Sequence, residues 1–256
     1  MASQSRTAFV LVPGSFSPPL YYHKVSERLR AKGHEVTEIS LRTCVQDRTS
    51  LPAATMFDDA TMLKETIEGW ADKGYEVVVA MNSYGGFPGS ESVKGLGKAE
   101  RAQNGQKAGV VGLVYLASFL PRAGESVVSL MGDSMPDQLK NPEGEYMELS
   151  KEGGGKWIFN SLPEQDADHY ISKVGYHSRQ SYSDGVTYAG WMDIPTTYVY
   201  TGNDYGLPPA IQKQMVETAR KEGADIKLIE TEADHVPMLS IPDEVTRALL
   251  ESAGKA

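Results

Sequence analysis

The chain has 256 residues, with 34 acidic and 25 basic side chains and a formal net charge of −9. Because the basic residues are scattered rather than gathered into a stripe, this balance argues against a nucleic-acid partner. No segment approaches the roughly 20 apolar residues of a membrane span, and the first residues lack a signal-peptide pattern. We therefore expect a soluble, cytoplasmic protein with no membrane partner.

Cys44 is the only cysteine of the chain. A single thiol excludes an intramolecular disulfide framework and a cysteine-rich zinc site. We predict neither a bound metal nor a cofactor.

Apolar segments alternate with amphipathic segments along the first half of the chain. The apolar segments lack a regular polar alternation, which is typical of strands that helices cover on both faces. In chain order we predict a strand at 8–12, a helix at 21–32, a strand at 35–40, a helix at 58–73, a strand at 76–80, a helix at 84–103 and a strand at 110–116. Gly33 is expected to end the first helix in a left-handed conformation.

The alternation stops between residues 121 and 195, where the sequence is rich in Gly, Ser and Tyr. A structureless loop of that length is improbable within a compact domain. We predict short helices at 144–151 and 163–172, with a turn at Gly153-Gly154-Gly155. Residues 121–195 are thus predicted to form a lid insertion in a single domain whose core is residues 1–120 and 196–256.

The alternation resumes with a strand at 196–200, a helix at 209–222, a strand at 225–229 and a helix at 242–253. Gly223 is the expected left-handed cap of the first of these helices. Repeated strand–helix units predict an α/β fold with a mostly parallel, doubly wound sheet. The functional site of such a sheet lies at the carboxyl ends of its strands.

Ser83 lies between a predicted strand and a predicted helix, in Met81-Asn82-Ser83-Tyr84-Gly85-Gly86. This is the context of a nucleophile elbow, in which a strained turn projects a serine hydroxyl above the sheet. Met81 occupies the first position of the motif, where a small residue is usual. The alternative interpretation is that Ser83 caps the following helix.

A serine nucleophile needs a base, and the base needs an acid to orient it. Of the five histidines, His235 alone follows the last predicted strand, so it should lie at the same sheet edge as Ser83. Asp204 follows another strand end and gives the chain order Ser, Asp, His. Asp234 is a rival for the acid, and Asp204 could instead form an Asx-turn.

The first strand runs into the turn Pro13-Gly14-Ser15-Phe16. We expect the main-chain amides of Ser15 and Tyr84 to form an oxyanion hole, where losing one donor typically costs about 2.7 to 4 kcal/mol of transition-state stabilisation. For the Ser15 hydroxyl, stabilising the turn is favoured over a hydrogen bond to substrate. Phe16 and Tyr84 are predicted to line the pocket.

Six segments give the chain a resemblance to the α/β-hydrolase superfamily, and to its compact plant and fungal group of methylesterases, salicylate-binding esterases and hydroxynitrile lyases. They are FVLVPGSF, LRAKGHEVTEISL, VVVAMNSYGG, VVGLVYLASFLP, YTGNDYGLPP and EADHVPMLSIPDEV. A long elbow helix continuing through residues 91–95 looks more like the fungal members. The resemblance implies the α/β-hydrolase fold, with Ser83, Asp204 and His235 as the catalytic residues.

The same comparison separates two chemistries. Hydroxynitrile lyases are expected to carry a threonine in the first turn and a lysine after the catalytic histidine, whereas this chain has Gly14 and Val236. The resemblance therefore favours ester hydrolysis over cyanohydrin cleavage. Two departures from the group are Pro13, where many relatives have histidine, and Met81-Asn82 in place of Gly-His.

The sequence thus predicts a serine hydrolase for a small to medium, largely apolar ester, thioester or lactone. Trp157 and Met238 are further predicted substrate-binding residues. Large lid residues would suit an aromatic or polyketide-like substrate, although we expect most of them to pack the lid on the core. They are Met131, Met135, Tyr146, Met147, Trp157, Phe159, Tyr170, Tyr176, Tyr182, Tyr188 and Trp191.

Two other functions stay open. The same residues could catalyse a lyase reaction, a C–C bond hydrolysis or a rearrangement in fungal secondary metabolism, because this fold supports several chemistries. Alternatively, the pocket could serve a ligand-binding protein with low turnover. The expected partner is a small-molecule substrate, and a homodimer is compatible with the sequence.

Overall fold

A six-stranded parallel sheet forms the centre of the computed structural model, which describes residues 6–49, 51–135, 144–149 and 157–254. The strands in these ranges are β1 (Thr7–Val12), β2 (Glu35–Glu38), β3 (Cys44–Val45), β4 (Glu76–Ser83), β5 (Val110–Ser118), β6 (Tyr146–Glu148), β7 (Tyr176–Ser178), β8 (Thr196–Thr201) and β9 (Ile226–Thr231). The central sheet has the order β2-β1-β4-β5-β8-β9, and each neighbouring pair is parallel. All six predicted strands are therefore confirmed.

Burial along these strands follows their place in the sheet. Every residue of β1 and β8 is buried, whereas β2 and β9 at the two edges are partly exposed. Helices that cover both faces of a parallel sheet produce such continuous apolar strands. The apolar pattern of the sequence is thus most continuous in the strands that lie inside the sheet.

The helices described are α1 (His23–Ala31), α2 (Met56–Asp72), α3 (Gly86–Ser92), α4 (Lys98–Gln103), α5 (Val127–Met131), α6 (Glu164–Ile171), α7 (Gln180–Ser183), α8 (Pro209–Lys221), α9 (Pro237–Ser240) and α10 (Pro242–Ser252). Helix α1 packs against α10, and α2 packs against α3. Gly33 and Gly223 follow α1 and α8 with φ of 83° and 95°, as predicted. Within the described ranges, no helix is both long and apolar enough to cross a membrane.

Two predicted helices are wrong. The helix predicted at 84–103 is two helices, α3 and α4, because the chain turns at Gly95 in a left-handed conformation with φ of 82°. The helix predicted at 144–151 contains strand β6 instead, since Met147 pairs with His177 of β7 and tertiary pairing overrides local propensity. The turn predicted at 153–155 lies outside the described residues, whereas the helix predicted at 163–172 is confirmed as α6.

A second, antiparallel sheet links the segment after β2 to residues 121–195. Its order is β3-β7-β6, and Cys44 of β3 is paired with His177 of β7. Backbone pairing therefore joins β7 to β3, which lies in a loop of the first 120 residues. This connection places β7 and α7 close to the carboxyl ends of the central strands, where Tyr84 contacts His177.

Candidate active site

Ser83 ends β4 with φ of 52°, in the left-handed region that non-glycine residues rarely occupy. Such a conformation costs on the order of 1–3 kcal/mol and persists only when its surroundings hold it. The Ser118 hydroxyl and the Phe119 amide both donate to the Ser83 carbonyl oxygen, at 2.8 and 3.2 Å. Helix α3 has Gly85 as its N-cap, so the helix-cap interpretation of Ser83 is wrong.

Met81 is accommodated under the elbow by a glycine of α3. The Met81 side chain is fully buried, and a Cβ atom added at Gly89 would overlap its sulfur atom. The bare backbone of Gly89 therefore provides the space that the bulky residue needs. Ser83 keeps its left-handed conformation with methionine at this position.

This packing predicts that Gly89→Ala lowers the free energy of unfolding by about 1–3 kcal/mol, because the added methyl group overpacks a filled site. Urea denaturation is the measurement. Gly69→Ala is the matched control: Gly69 lies on the exposed face of α2 with nothing near its added Cβ, so alanine should be neutral or stabilising there. Equal stability of the Gly89 variant and the wild type would contradict this packing.

His235 connects Ser83 to Asp204. Its Nε2 atom is 2.9 Å from the Ser83 hydroxyl oxygen, and its Nδ1 atom is 3.0 Å from Oδ2 of Asp204. A carboxylate only accepts hydrogen bonds, so Nδ1 carries the proton and Nε2 of the neutral ring accepts from Ser83. The arrangement can therefore remove the serine proton during attack on a carbonyl carbon.

The two oxygens of Asp204 have different partners. Oδ1 accepts from the Gly206 and Leu207 amides at 2.7 and 2.8 Å, while Oδ2 accepts from Thr201, Gln212 and His235. One oxygen therefore forms the Asx-type turn, and the other orients the imidazole. The Asx-type turn and the contact with His235 are therefore compatible in one side chain.

Asp234 is fully buried but does not bond to the His235 ring. It accepts from the Val236 amide, the Ser240 hydroxyl and the Ser161 amide, the last at 3.0 Å from Oδ2. Burial raises the pKa of this carboxyl, and these hydrogen bonds oppose the increase. Asp234 thus ties the segment around Ser161 to the loop that carries His235.

The pKa of His235 reflects opposing influences. Burial is the largest and disfavours the charged ring, but the charge and hydrogen bond of Asp204, together with the charge of Asp234, outweigh it. The pKa is therefore raised above its ordinary value of about 6.5. His235 is a stronger base than an isolated imidazole.

Asn82 is a site residue that the sequence analysis did not identify. Its side-chain amide donates to the Leu116 carbonyl oxygen of β5 at 2.9 Å and to the His235 carbonyl oxygen at 3.0 Å. It therefore fixes the backbone of the histidine relative to the elbow. Its position beside Ser83, in place of the usual histidine, was the only sequence signal.

The predicted oxyanion donors lie on two adjacent turns. The first turn closely approaches the elbow, since a Cβ atom added at Gly14 would be 2.8 Å from Cβ of Ser83. Within the described residues, neither the Ser15 amide nor the Tyr84 amide donates to another backbone group. Both amides are therefore available for a substrate oxygen beside Ser83.

The Tyr84 side chain points away from this oxygen site. Its hydroxyl donates to Asp59 at 3.2 Å, and Asp59 also accepts from the Thr43 hydroxyl and the Arg42 and Thr43 amides. Burial raises the pKa of Asp59 to about 6, and the hydrogen bonds from Thr43 are the strongest influence against this increase. Asp59, which the sequence analysis missed, thus anchors the side chain of a predicted oxyanion residue.

A largely apolar cavity opens beside Ser83 and His235. Its empty volume is about 620 Å³, including solvent space at its mouth, and none of the described residues that line it is Asp, Glu, Lys or Arg. The lining residues are Gly14, Ser15, Phe16, Ser17, Asn82, Ser83, Phe119, Val127, Met131, Met135, Leu149, Trp157, Ile158, Tyr182, Gly206, His235 and Val236.

The structure corrects two predicted pocket residues. Met238 lies in α9, where it is fully buried in the core, and it is not among the described residues that line the cavity. The Tyr84 side chain is directed to Asp59 rather than to the cavity. Phe16 and Trp157 line the cavity, as do Met131, Met135 and Tyr182 among the large residues between 121 and 195.

Within the described ranges, no cluster of His, Cys, Asp and Glu could hold a metal ion.

Comparisons with known proteins find relatives that match almost the whole chain. A sequence model of the alpha/beta hydrolase family matches residues 9–248. A probable hydrolase from Phoma sp. is 31% identical over 96% of this chain and 97% of its own length, and methylesterase 7 from Arabidopsis thaliana is 24% identical over 100% and 99%. The crystal structure of polyneuridine aldehyde esterase superimposes with a TM-score of 0.77 at 21% identity, covering 97% of this chain and 100% of that one.

Proposed function

Because the chain belongs to the alpha/beta hydrolase family, we propose that it is a serine esterase that cleaves a small to medium, largely apolar ester, thioester or lactone. The observation that carries the proposal is the continuous hydrogen-bonded path from Ser83 through His235 to Asp204. The uncharged cavity wall supports the apolar substrate class, since a charged ligand would be desolvated there without a partner.

In this mechanism Ser83 attacks the carbonyl carbon while His235 takes the hydroxyl proton. The Ser15 and Tyr84 amides bind the oxygen that becomes negatively charged, and Asp204 stabilises the imidazolium. His235 then gives the proton to the leaving alcohol or thiol, and Ser83 retains the acyl group. Water, deprotonated by His235, releases the acid and restores Ser83.

We assign residues 121–195 the role of a lid. Two bonds tie one segment of it to the loops of the acid and the base: Asn160 donates to the Asn203 carbonyl oxygen at 2.9 Å, and the Ser161 amide donates to Asp234. Trp157 and Ile158 of the same segment line the cavity. The lid would thus set substrate shape close to the reacting groups.

A panel of p-nitrophenyl esters of increasing acyl length tests the proposal. With an activated ester whose deacylation is the slow step, the wild type should release a burst of p-nitrophenol equal to the enzyme concentration, because the acyl-enzyme then accumulates. With an alkyl ester in H₂¹⁸O, one ¹⁸O atom should enter the acid product. Ligand binding without turnover would indicate the binding protein, and conversion of a substrate without uptake of water oxygen would indicate a lyase or rearrangement.

The pH dependence follows from His235. The ring must be neutral to accept the Ser83 proton, and its pKa is raised, so kcat/KM should fall as the pH decreases through an apparent pKa above about 6.5. The value of kcat/KM falls on the acid side of the profile because protonation of His235 removes the base. Initial rates between pH 5 and 9 measure it, and a rate independent of pH down to 5 would contradict this role of His235.

A further inference from the structure

We propose that the Ser15 hydroxyl is a third donor to the carbonyl oxygen of the substrate, and that Tyr182 of the insertion positions it. This inference rests on the proposed esterase function and extends it. It assigns a catalytic contact to a side chain for which the sequence favoured a role in the turn. It also makes the insertion part of the oxyanion site.

The turn after β1 does not use the Ser15 hydroxyl. Ser17 stabilises it instead: the Ser17 hydroxyl donates to the Ser15 carbonyl oxygen at 3.0 Å, and the Ser17 amide donates to the Gly14 carbonyl oxygen at 3.3 Å. The expected turn-stabilising role of Ser15 therefore belongs to its neighbour. The Ser15 side chain is left for another function.

The partner of the Ser15 hydroxyl is Tyr182, whose phenol donates to the Ser15 oxygen at 2.7 Å. A serine hydroxyl can accept this bond and still donate its own proton. Within the described residues, the bond from Tyr182 is the one hydrogen bond found at the Ser15 hydroxyl. Tyr182 thus fixes the oxygen atom and leaves the proton available to a ligand in the cavity that both side chains line.

The position of Tyr182 is itself fixed by the elbow. Its ring stacks on that of Tyr84, with centroids 6.0 Å apart and an angle of 21° between the planes, and it contacts the His177 ring at 5.4 Å. Burial raises the pKa of Tyr182 above its ordinary range, so the phenol stays protonated and remains a donor. The donor to Ser15 is therefore preorganised rather than mobile.

Ser15 carries both this hydroxyl and one of the two predicted oxyanion amides. The turn that contains Ser15 lies close to the Ser83 side chain at Gly14. A hydroxyl in this place can reach the same substrate oxygen as the amide. Donors aimed at developing charge in a site with apolar walls act on the transition state more than on the bound ester. The hydroxyl should therefore affect kcat more than KM.

The test compares Ser15→Ala, Ser15→Thr and Tyr182→Phe on the best ester of the panel. Ser15→Ala should lower kcat by about 10²-fold with KM within a factor of three, whereas Ser15→Thr should restore most of the rate. Tyr182→Phe should lower kcat by about tenfold. The double variant should be no slower than Ser15→Ala, because Tyr182 acts through Ser15.

Tyr188→Phe is the matched control. This tyrosine of the insertion donates to Asp193 at 2.6 Å and does not line the cavity, so its kcat should match the wild type. If the losses of kcat in Ser15→Ala and Tyr182→Phe multiply in the double variant, the two residues act independently. That result would overturn the positioning role of Tyr182. A Ser15→Ala enzyme with unchanged kcat would overturn the third donor.

A trifluoromethyl ketone provides an independent readout. The Ser83 oxygen adds to its carbonyl carbon, the Ser83 proton passes to His235, and the former carbonyl oxygen becomes the oxyanion. Its inhibition constant should rise in Ser15→Ala by the same factor as kcat falls. A wild type with neither turnover nor a ketone adduct would overturn the esterase itself, whereas an active wild type with equal inhibition of Ser15→Ala would overturn this inference alone.

Discussion

Ser83→Ala is expected to lower kcat/KM for esters by about 10⁴- to 10⁶-fold while leaving the fold intact. Alanine removes the nucleophilic oxygen and its bond to His235. It keeps the Cβ atom and the carbonyl contacts to Ser118 and Phe119 that hold the left-handed backbone. The residual rate would come from binding and from the oxyanion donors.

Steady-state rates and intact-protein mass after treatment with a fluorophosphonate measure this effect. The wild type should gain one phosphonyl group and lose activity, and Ser83→Ala should gain none. Ser172→Ala is the control, since this exposed serine is the C-cap of α6 and its hydroxyl donates to the carbonyl oxygen of His169, far from the cavity lining. Ester turnover of Ser83→Ala within tenfold of the wild type would exclude Ser83 as the nucleophile.

Asp204→Asn should lower kcat by about 10⁴-fold. An amide nitrogen facing Nδ1 of His235 would favour the tautomer that carries its proton on Nε2, and that ring cannot accept from Ser83. Because Asp204 also anchors its own loop through Gly206 and Leu207, the unfolding midpoint should be compared as well. A large loss of rate with a small change in stability identifies the orienting role.

Asp234→Asn is the matched comparison, since it removes a buried carboxylate next to the same histidine. Its kcat at the optimal pH should stay within about tenfold of the wild type, because Asp234 does not bond to the ring. Removing its charge should lower the pKa of His235 and move the acid limb of the rate profile to lower pH. The reverse order of losses, with Asp234→Asn the slower enzyme, would assign the orienting role to Asp234.

The helix errors show where sequence patterns lose their value. Most residues between 84 and 103 favour a helix, and the sequence pattern therefore predicts one continuous helix. In the structure Gly95 and Gly97 lie between two separate helices, α3 and α4. At 146–148 the residues favour a helix locally, yet pairing with β7 decides the conformation. Local propensity is weak compared with a partner strand that buries the same side chains.

Met81 shows a different limit. In the sequence it is a bulky residue at a position that is usually small, which bears on whether the elbow can form. Its compensating residue, Gly89, is eight positions along the chain and reads as an ordinary glycine of a helix. The fit between them depends on how α3 crosses the end of β4, which the residue types alone do not specify.

The sequence by itself determined the order of strands and helices, the elbow at Ser83, and the placing of Asp204 and His235 after strand ends. These features follow from local patterns of burial and turn chemistry, and parallel strands bring their carboxyl ends together without further information. Only the tertiary structure decided that Asp204 rather than Asp234 contacts His235, and that Tyr182 contacts Ser15. Such contacts join residues up to 167 positions apart, and their geometry is set by packing across the whole domain.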